Sequence, residues 1–190
     1  MPARDRVSLG ILAGGRGTRL GGVDKAFLYY RGEPLLQRVF GAAGAGFADR
    51  LVSHNDPLHA GRALLEAGGI VFVVDKRAAG EGPLAGLHAL LYAARGEWLL
   101  TLPVDLREPE PGVIEALLGT EGAMVRDADG MQPLVALWPR VSALCAVEDA
   151  LVAGERAVQY VASALRLPTL YMGDARLGNL NTPADFDASP

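Results

Sequence analysis

Short apolar runs alternate with stretches of helical periodicity along most of this chain, and that alternation limits the folds open to it. The apolar runs are bounded by charged residues or glycines, which is typical of strands buried on both faces of a sheet. The predicted strands are Val7–Ala13, Arg50–Ser53, Ile70–Val74 and Trp98–Val104. The predicted helices are Pro34–Ala43, Leu58–Ala67, Leu84–Ala94 and Pro111–Leu118. This alternation predicts βαβ units, and therefore a mostly parallel sheet with helices on both faces.

The last third of the chain is less regular. Ala123–Val125 and Leu134–Trp138 have the composition of strands and flank a turn at 127–130, which predicts a small antiparallel excursion of the sheet. Two helices and a strand are predicted to follow, at Val141–Ala153, Arg156–Leu165 and Pro168–Met172. Because the chain contains no linker, internal repeat or low-complexity tract, we predict a three-layer α/β fold in which residues 1–190 form one domain.

The end of the chain carries the signature of a helix start. Thr182 is predicted as the N-cap, Pro183 as the first helical residue and Asp185 as the third. This local interpretation is independent of any function.

The overall composition excludes several classes of protein. A formal net charge of −4 argues against non-specific nucleic-acid binding, which requires a basic surface. Cys145 is the only cysteine, so an intramolecular disulfide and a cysteine-based zinc site are excluded. The histidines His54, His59 and His88 lack metal-ligand spacing and are predicted to be exposed or satisfied by neighbours. Since no apolar run is long enough for a signal peptide or a membrane span, we expect a cytoplasmic protein without a membrane partner.

The segment from Leu12 to Lys25 directly follows the first predicted strand and contains five glycines. In open α/β sheets, ligands bind outside the carboxyl ends of the strands, where this segment lies. Glycine N–H groups can approach an anion closely, and Arg16, Arg19 and Lys25 add three cations. A triphosphate needs such a combination, because its charge must be spread over several fixed donors. We therefore predict a triphosphate-binding loop; the alternative is a surface loop that is merely cationic.

Two better-known phosphate motifs do not fit this loop. The dinucleotide fingerprint G-x-G-x-x-G would use Gly15 and Gly17, but Leu20 stands at its third glycine. A P-loop requires a lysine directly after its last glycine, whereas Val23 follows Gly22. The failed fingerprint makes a dinucleotide-dependent oxidoreductase the least favoured class.

Polar residues also follow the other predicted strands. Asn55 lies after the second strand, Asp75 after the third and Asp105 after the fourth. Because the carboxyl ends of parallel strands share one edge, we expect ligand-binding groups among these side chains. A carboxylate in the position of Asp105 can hold Mg²⁺, which uses one or two protein carboxylates together with phosphate oxygens and water. The alternative is a solvated charge or the N-cap of a turn.

Several of these motifs resemble those of a known family. Leu-Ala-Gly-Gly followed by arginine and then lysine is similar to the signature of nucleotidyltransferases built on a glycosyltransferase-A-like sheet. Within that group, the chain resembles the molybdenum cofactor guanylyltransferase family from about Val7 to Phe186. The segments that carry this closer resemblance are Gly-Gly-x-Asp-Lys at 21–25, Gly-Pro-Leu-Ala-Gly at 82–86 and Asn-x-Asn-Thr-Pro at 179–183.

Two positions depart from the pattern of that family. Arg107 ends a Val-Asp-Leu-Arg segment where the family commonly shows Cys-Asp-x-Pro, and Gln132 stands where a histidine often precedes the proline. The carboxylate of Asp105 is kept, so metal binding is still expected. The departures concern the acceptor side of the pocket.

The resemblance implies a nucleotide-diphospho-sugar-transferase-like fold and a specific reaction. GMP would pass from GTP to the terminal phosphate of molybdopterin or Mo-molybdopterin, with release of pyrophosphate. Asp105 would hold Mg²⁺ and Lys25 would neutralise the α-phosphate, while Arg19 and the amides of 14–17 would hold the β- and γ-phosphates. The nucleotide contacts expected are Leu12, Ala13, Gly14, Gly15, Lys25, Asn55, Asp75 and Asp105. Transient contact with molybdenum-insertion proteins or apo-molybdoenzymes is compatible with this role.

Two alternative functions stay open at the level of the sequence. One is a related nucleotidyltransferase that uses CTP or UTP, or a sugar-phosphate acceptor, and its base preference would distinguish it. The other is a non-catalytic GTP-binding carrier that delivers cofactor to an apo-enzyme. Such a carrier would bind GTP without turnover.

Overall fold

The structure is a computed structural model that describes residues 1–13, 24–54, 56, 61–74 and 82–187. Its first elements are β1 (Val7–Leu12), β2 (Tyr29–Tyr30), β3 (Glu33–Pro34), α1 (Leu35–Ala43), β4 (Asp49–His54), α2 (Arg62–Ala67), β5 (Val71–Val74) and α3 (Pro83–Ala93). The later ones are β6 (Trp98–Pro103), α4 (Pro111–Leu118), β7 (Ala123–Asp127), β8 (Gly130–Pro139), α5 (Arg140–Val152), α6 (Val158–Ala164), β9 (Thr169–Tyr171) and α7 (Pro183–Asp187). Short 3-10 helices lie at Arg4–Arg6 and Lys25–Phe27. Within the described ranges, no helix combines the length and the apolar character needed to cross a membrane.

Seven strands form one sheet in the order β5-β4-β1-β6-β8-β7-β9. The neighbours β5, β4, β1 and β6 are parallel, so their carboxyl ends meet at one edge. β8 runs antiparallel to both β6 and β7, and β7 runs parallel to β9. The predicted sheet, mostly parallel with a small antiparallel excursion, is therefore confirmed.

Helices cover both faces of this sheet because its central strands are apolar on both sides. Val7, Leu9 and Ile11 of β1 pack into one apolar cluster with residues of α1, α2 and α4. Leu12 of the same strand belongs to a second cluster with residues of α3, α5 and α6. All of β1 is buried. The core thus consists of one apolar layer on each side of the sheet. With the helices outside these layers, this is the three-layer arrangement predicted.

The strand β8 is longer than the sequence predicted. It covers Gly130–Pro139, whereas the predicted strand began at Leu134, directly after Pro133. The pairing with β7 shifts register here, so that Gln132 and Ala136 face consecutive residues of β7. Pro133 lies between them in the irregular part, and a bulge is where a strand tolerates a residue without an N–H.

Two elements are shorter than predicted by two residues or more. They are α6 at Val158–Ala164 for the predicted Arg156–Leu165, and β9 at Thr169–Tyr171 for Pro168–Met172. The helix α2 covers Arg62–Ala67, and residues 58–60 of its predicted range Leu58–Ala67 lie outside the described residues. Element ends depend on local hydrogen bonds, which apolar periodicity does not encode, so errors concentrate there.

A small hairpin formed by β2 and β3 was not predicted. Each strand has two residues, which is too short for a pattern of alternation to be recognised. Its turn residues Arg31 and Gly32 have φ values of 51° and 82°. Positive φ at both central residues is what a tight type I′ hairpin requires. The hairpin joins the 3-10 helix that contains Lys25 to α1.

Candidate active site

The carboxyl ends of β4, β1 and β6 lie side by side at one edge of the sheet. Leu12, the last residue of β1, is in register with Ser53 of β4 and Pro103 of β6. Hydrogen bonds continue on both sides, from Ala13 N to Ser53 O at 3.0 Å and from Val104 N to Leu12 O at 3.1 Å. Leu12 and Ala13, both predicted nucleotide contacts, are buried and fixed at the middle of this edge.

Several predicted site residues lie outside the described residues. They are Gly14, Gly15, Arg16, Arg19, Asn55 and Asp75. The chain enters the glycine loop at Ala13 and leaves it at Asp24, and both of these flanking residues are described. The roles assigned to the loop, to Asn55 and to Asp75 therefore stay predictions.

Lys25 is held at the same edge by three oxygen atoms. Its Nζ lies 3.0 Å from Asp105 Oδ2, 2.8 Å from Asn181 Oδ1 and 3.2 Å from Leu180 O. The side chains of Lys25 and Asp105 are 17% and 21% exposed, so the pair is partly shielded but still accessible from the edge. Two residues predicted from separate strand ends thus form one ion pair.

The segment of residues 177–182 brings Asn181 to this pair. It runs beside the chain that follows β6 and is joined to it by backbone hydrogen bonds. These link Leu180 N to Asp105 O at 2.8 Å, Arg107 N to Gly178 O at 3.2 Å and Glu108 N to Leu177 O at 3.0 Å. Asn181 was not among the predicted site residues. The signal that could have identified it was the resemblance of 179–183 to Asn-x-Asn-Thr-Pro.

The predicted helix start at the end of the chain is confirmed, with one difference in its hydrogen bonds. α7 begins at Pro183 after Thr182. The Thr182 hydroxyl donates to Asp185 Oδ2 at 2.9 Å instead of accepting from the helix. Asp185 Oδ2 also accepts from Asn181 N at 2.9 Å and from Thr182 N at 2.8 Å. These bonds lower the pKa of Asp185 to about 2, and the bond from Asn181 N makes the largest contribution to this shift.

A histidine–aspartate pair fixes the residue that precedes Lys25. His54, at the end of β4, places its Nε2 3.0 Å from Asp24 Oδ2, and its Nδ1 accepts from Asp56 N at 3.0 Å. Asp24 Oδ1 accepts from Ala26 N at 2.9 Å and so caps the 3-10 helix. The hydrogen bond to Asp24 raises the pKa of His54 above its ordinary value. His54 is thus satisfied by neighbours, as predicted, and anchors the far end of the glycine loop.

The Gly-Pro-Leu-Ala-Gly segment forms the start of α3. Gly82 precedes the helix with φ of 70°, and Pro83 is its first residue. A Cβ on Gly86 would lie 2.8 Å from both Leu12 Cδ2 and Ser53 Oγ. Glycine at this position therefore lets α3 pack directly against the ends of β1 and β4. The predicted packing of this segment against a base stays a prediction.

Gln132, one of the two departures from the family pattern, is bound to a buried carboxylate. Its Nε2 lies 3.1 Å and 3.2 Å from the two oxygens of Asp127, which is 2% exposed. Leu177 N and Asp129 N also donate to Asp127, at 3.0 Å and 2.9 Å. Burial alone would raise the pKa of Asp127, but these hydrogen bonds together lower it. Gln132 thus supports the attachment of the 177–182 segment to the β7–β8 hairpin.

The oxygen atoms around Lys25 are of the kind that bind a hard divalent cation. The side-chain oxygens of Asp105 and Asn181 and the carbonyl of Leu180 already converge on one positive centre. In the part of the chain that the structure describes, no group of three or more His, Cys, Asp or Glu residues could hold a metal ion by itself. Mg²⁺ commonly binds one or two protein carboxylates and completes its shell with water and phosphate oxygens. Asp105 fits that pattern once a nucleotide supplies the phosphates.

Comparisons with known proteins bear on the family of this chain. The family model of the MobA-like NTP transferase domain matches residues 9–167. A molybdenum cofactor guanylyltransferase of Pseudomonas putida (strain F1) is 37% identical over 188 residues, which cover 95% of this chain and 96% of the relative.

Solved structures share the fold. Molybdopterin-guanine dinucleotide biosynthesis protein A from Archaeoglobus fulgidus superposes with a TM-score of 0.71 and 23% identity, covering 95% of each chain. The manganese complex of Rv0371C from Mycobacterium tuberculosis gives a TM-score of 0.67 and 18% identity, covering 97% of this chain and 100% of the other. At these identities the likeness concerns the fold alone. The family match and the identity to the Pseudomonas putida relative together show that this chain belongs to the family of MobA-like NTP transferase domains and is a nucleotidyltransferase.

Proposed function

We propose that this enzyme, acting as one domain of residues 1–190, transfers GMP from GTP to the terminal phosphate of molybdopterin or Mo-molybdopterin in the cytoplasm. The observation that carries the proposal is the Lys25–Asp105 pair at the carboxyl edge of the sheet. A cation for the α-phosphate and a carboxylate for a metal are what transfer between phosphates requires. The guanine base and the molybdopterin acceptor are supported by the name of the Pseudomonas putida relative.

The proposed reaction needs no protein nucleophile. An oxygen of the acceptor's terminal phosphate attacks the α-phosphorus of GTP in line. The bond from that phosphorus to the bridging oxygen of the β-phosphate breaks, and pyrophosphate leaves with its electron pair. Because the attacking oxygen is already ionised at neutral pH, no general base is needed either. Catalysis then depends on positioning and on neutralisation of charge.

Each residue of the edge has a distinct proposed role. Lys25 neutralises the α-phosphate, and Arg19 with the amides of 14–17 holds the β- and γ-phosphates. Asp105 would hold Mg²⁺, which when bound supplies charge neutralisation for the pyrophosphate. The proposed contacts with guanosine are Leu12, Ala13, Asn55 and Asp75. An aspartate suits guanine because it can accept from both the N1–H and N2–H₂ donors of the base.

The first test is pyrophosphate release by the purified protein with Mg²⁺, molybdopterin and each of the four nucleoside triphosphates in turn. We expect pyrophosphate release with GTP and with none of the other three nucleotides, and we expect a metal chelator to abolish it. Release with CTP or UTP would keep the mechanism and remove the guanine assignment. GTP binding without any release would favour the non-catalytic carrier. A chelator-resistant reaction would overturn the role of the metal.

A further inference from the structure

We propose that Arg107 and Asp185 form a positioning pair for nucleotidyl transfer. The pair holds the 177–182 segment, and through Asn181 it holds the Lys25 ammonium in place. The inference rests on the nucleotidyl transfer proposed above. Neither Arg107 nor Asp185 was among the predicted site residues, and both act through other residues without touching the substrate.

Asp185 is the centre of this arrangement. Its Oδ2 accepts three hydrogen bonds from the 177–182 segment, from Asn181 N at 2.9 Å, Thr182 N at 2.8 Å and Thr182 Oγ1 at 2.9 Å. Its Oδ1 lies 2.5 Å from Arg107 Nη2. One carboxylate therefore joins the 177–182 segment to the chain that follows β6.

The contacts close into a ring around the site. Lys25 Nζ binds Asp105 Oδ2 and Asn181 Oδ1. The backbone of Asn181 binds Asp185, and Asp185 binds Arg107. Arg107 lies two residues after Asp105, which completes the ring. The Lys25–Asp105 and Arg107–Asp185 pairs are therefore linked to each other both through Asn181 and along the chain from Asp105 to Arg107.

Arg107 uses both its backbone and its side chain in this ring. Its N donates to Gly178 O at 3.2 Å, and its carbonyl accepts from Arg38 Nη2 at 2.9 Å. A proline at this position would offer neither an N–H nor a cation, so it could make neither the contact with Gly178 nor the pair with Asp185.

Loss of the pair should affect catalysis more than it affects the stability of the fold. The side chains of Arg107 and Asp185 are 35% and 23% exposed, so the ion pair is partly open to solvent and removal of the Arg107 side chain should cost little folding free energy. The same pair fixes a residue that contacts Lys25, and a displacement of about 1 Å in a catalytic group can lower a rate by about 10²-fold. Arg107→Ala should therefore lower kcat clearly while it lowers Tm only slightly.

The test compares Arg107→Ala, Asp185→Ala, the double variant and Arg107→Lys, measuring kcat and the KM for GTP. We expect each alanine variant to lower kcat by about tenfold or more, with KM within about twofold. The double variant should be no slower than the slower single variant, because both remove one unit. Arg107→Lys should recover most of kcat, since a single hydrogen bond from Nη2 can be replaced by an ammonium.

Arg6→Ala is the matched control. Arg6 pairs with Glu97 at the amino ends of β1 and β6, which is the edge of the sheet away from the site. This variant should leave kcat unchanged. The proposal is overturned if Arg107→Ala keeps the wild-type kcat. It is also overturned if the fold-loss of kcat in the double variant equals the product of the two single losses, or if Arg107→Lys and Arg107→Ala lose kcat equally.

Amide hydrogen exchange at Asn181 and Thr182 provides a readout that does not depend on activity. Exchange at both should be faster in Arg107→Ala than in the wild type, and equal rates would overturn the proposal even if Asp185→Ala fails to fold. Wild-type protein that turns over no nucleotide would contradict the proposed function, and the exchange rates would still decide on the pair. Turnover with another nucleotide would move the kinetic test to that nucleotide.

Discussion

The strands β1 and β6 are linked by an ion pair at each of their two ends, and the two pairs lie in different surroundings. At the amino ends, Arg6 Nε lies 2.8 Å from Glu97 Oε1, and the two side chains are 55% and 59% exposed. At the carboxyl ends, the segments that follow the same strands are joined by Lys25 and Asp105, which are 17% and 21% exposed.

The difference shows where this fold places its constrained charges. The pair at the amino ends is two side chains meeting in solvent, where salt and entropy weaken the attraction. The pair at the carboxyl ends is enclosed by Asn181 and Leu180 and supported by the ring through Arg107 and Asp185. A charge held by several neighbours is already positioned before substrate binds, which favours electrostatic catalysis.

Asp105→Ala is expected to give the largest effect of any change at either end. Loss of the carboxylate that we assign to the metal should lower pyrophosphate release by about 10³-fold or more, while GTP binding stays measurable. Calorimetric titration with GTP and the release assay measure the two quantities on one preparation. Equal turnover by variant and wild type would contradict the assignment of the metal ligand.

Lys25→Met should lower kcat by about 10²- to 10³-fold, because it removes a positioned charge and keeps most of the side-chain volume. The same variant should bind Mn²⁺ about fivefold more tightly in the absence of nucleotide, since the ammonium no longer competes for Asp105 Oδ2. Titration of Mn²⁺ by electron paramagnetic resonance measures this affinity. A change confined to the KM for GTP would show that Lys25 acts only in ground-state binding.

The His54–Asp24 pair should make the carboxyl edge sensitive to pH. The hydrogen bond to Asp24 raises the pKa of His54 in the folded protein above its ordinary value of 6.5. The charged pair therefore stabilises the fold fully below that ordinary value, and the contribution is lost as the pH rises through the raised pKa. The Tm difference between wild type and His54→Gln should be larger near pH 5.5 than near about pH 9.

Arg6→Ala should show the smallest effect, with kcat unchanged and little change in Tm. The pKa of Arg6 is raised and that of Glu97 lowered by their mutual hydrogen bond. Both groups stay charged across the range in which His54 titrates, so the Tm difference for Arg6→Ala should not vary with pH there. A kcat loss comparable with that of Lys25→Met would remove the distinction between the two edges.

Much of the fold could be predicted because its signals are local. The apolar runs of β1 and β6 indicate strands buried on both faces, and their alternation with helices implies the parallel sheet. Lys25 and Asp105 could be predicted as site residues for a related reason, since each follows a buried strand whose carboxyl end lies at the ligand-binding edge. The β2–β3 hairpin and the irregular part of β8 around Pro133 were missed, because their signals are too short or contradictory.

The partners within the site could not be predicted in the same way. Lys25 and Asn181 are separated by 156 positions, and Arg107 and Asp185 by 78. The helix start at Thr182 and Pro183 is visible in the sequence because its atoms lie within a few residues of one another. That the same segment also contacts Lys25 depends on how distant chain segments pack, which no local pattern records.

The sequence by itself determined the alternation of elements, the glycine loop and the polar residue at each strand end. It did so because secondary structure and turn chemistry depend on neighbours along the chain. Only the tertiary structure decided that Lys25, Asp105 and Asn181 meet, and that Arg107 and Asp185 close the ring around them. The physical reason is that these contacts exist only after the sheet brings the ends of β1 and β6 together and the 177–182 segment docks beside them.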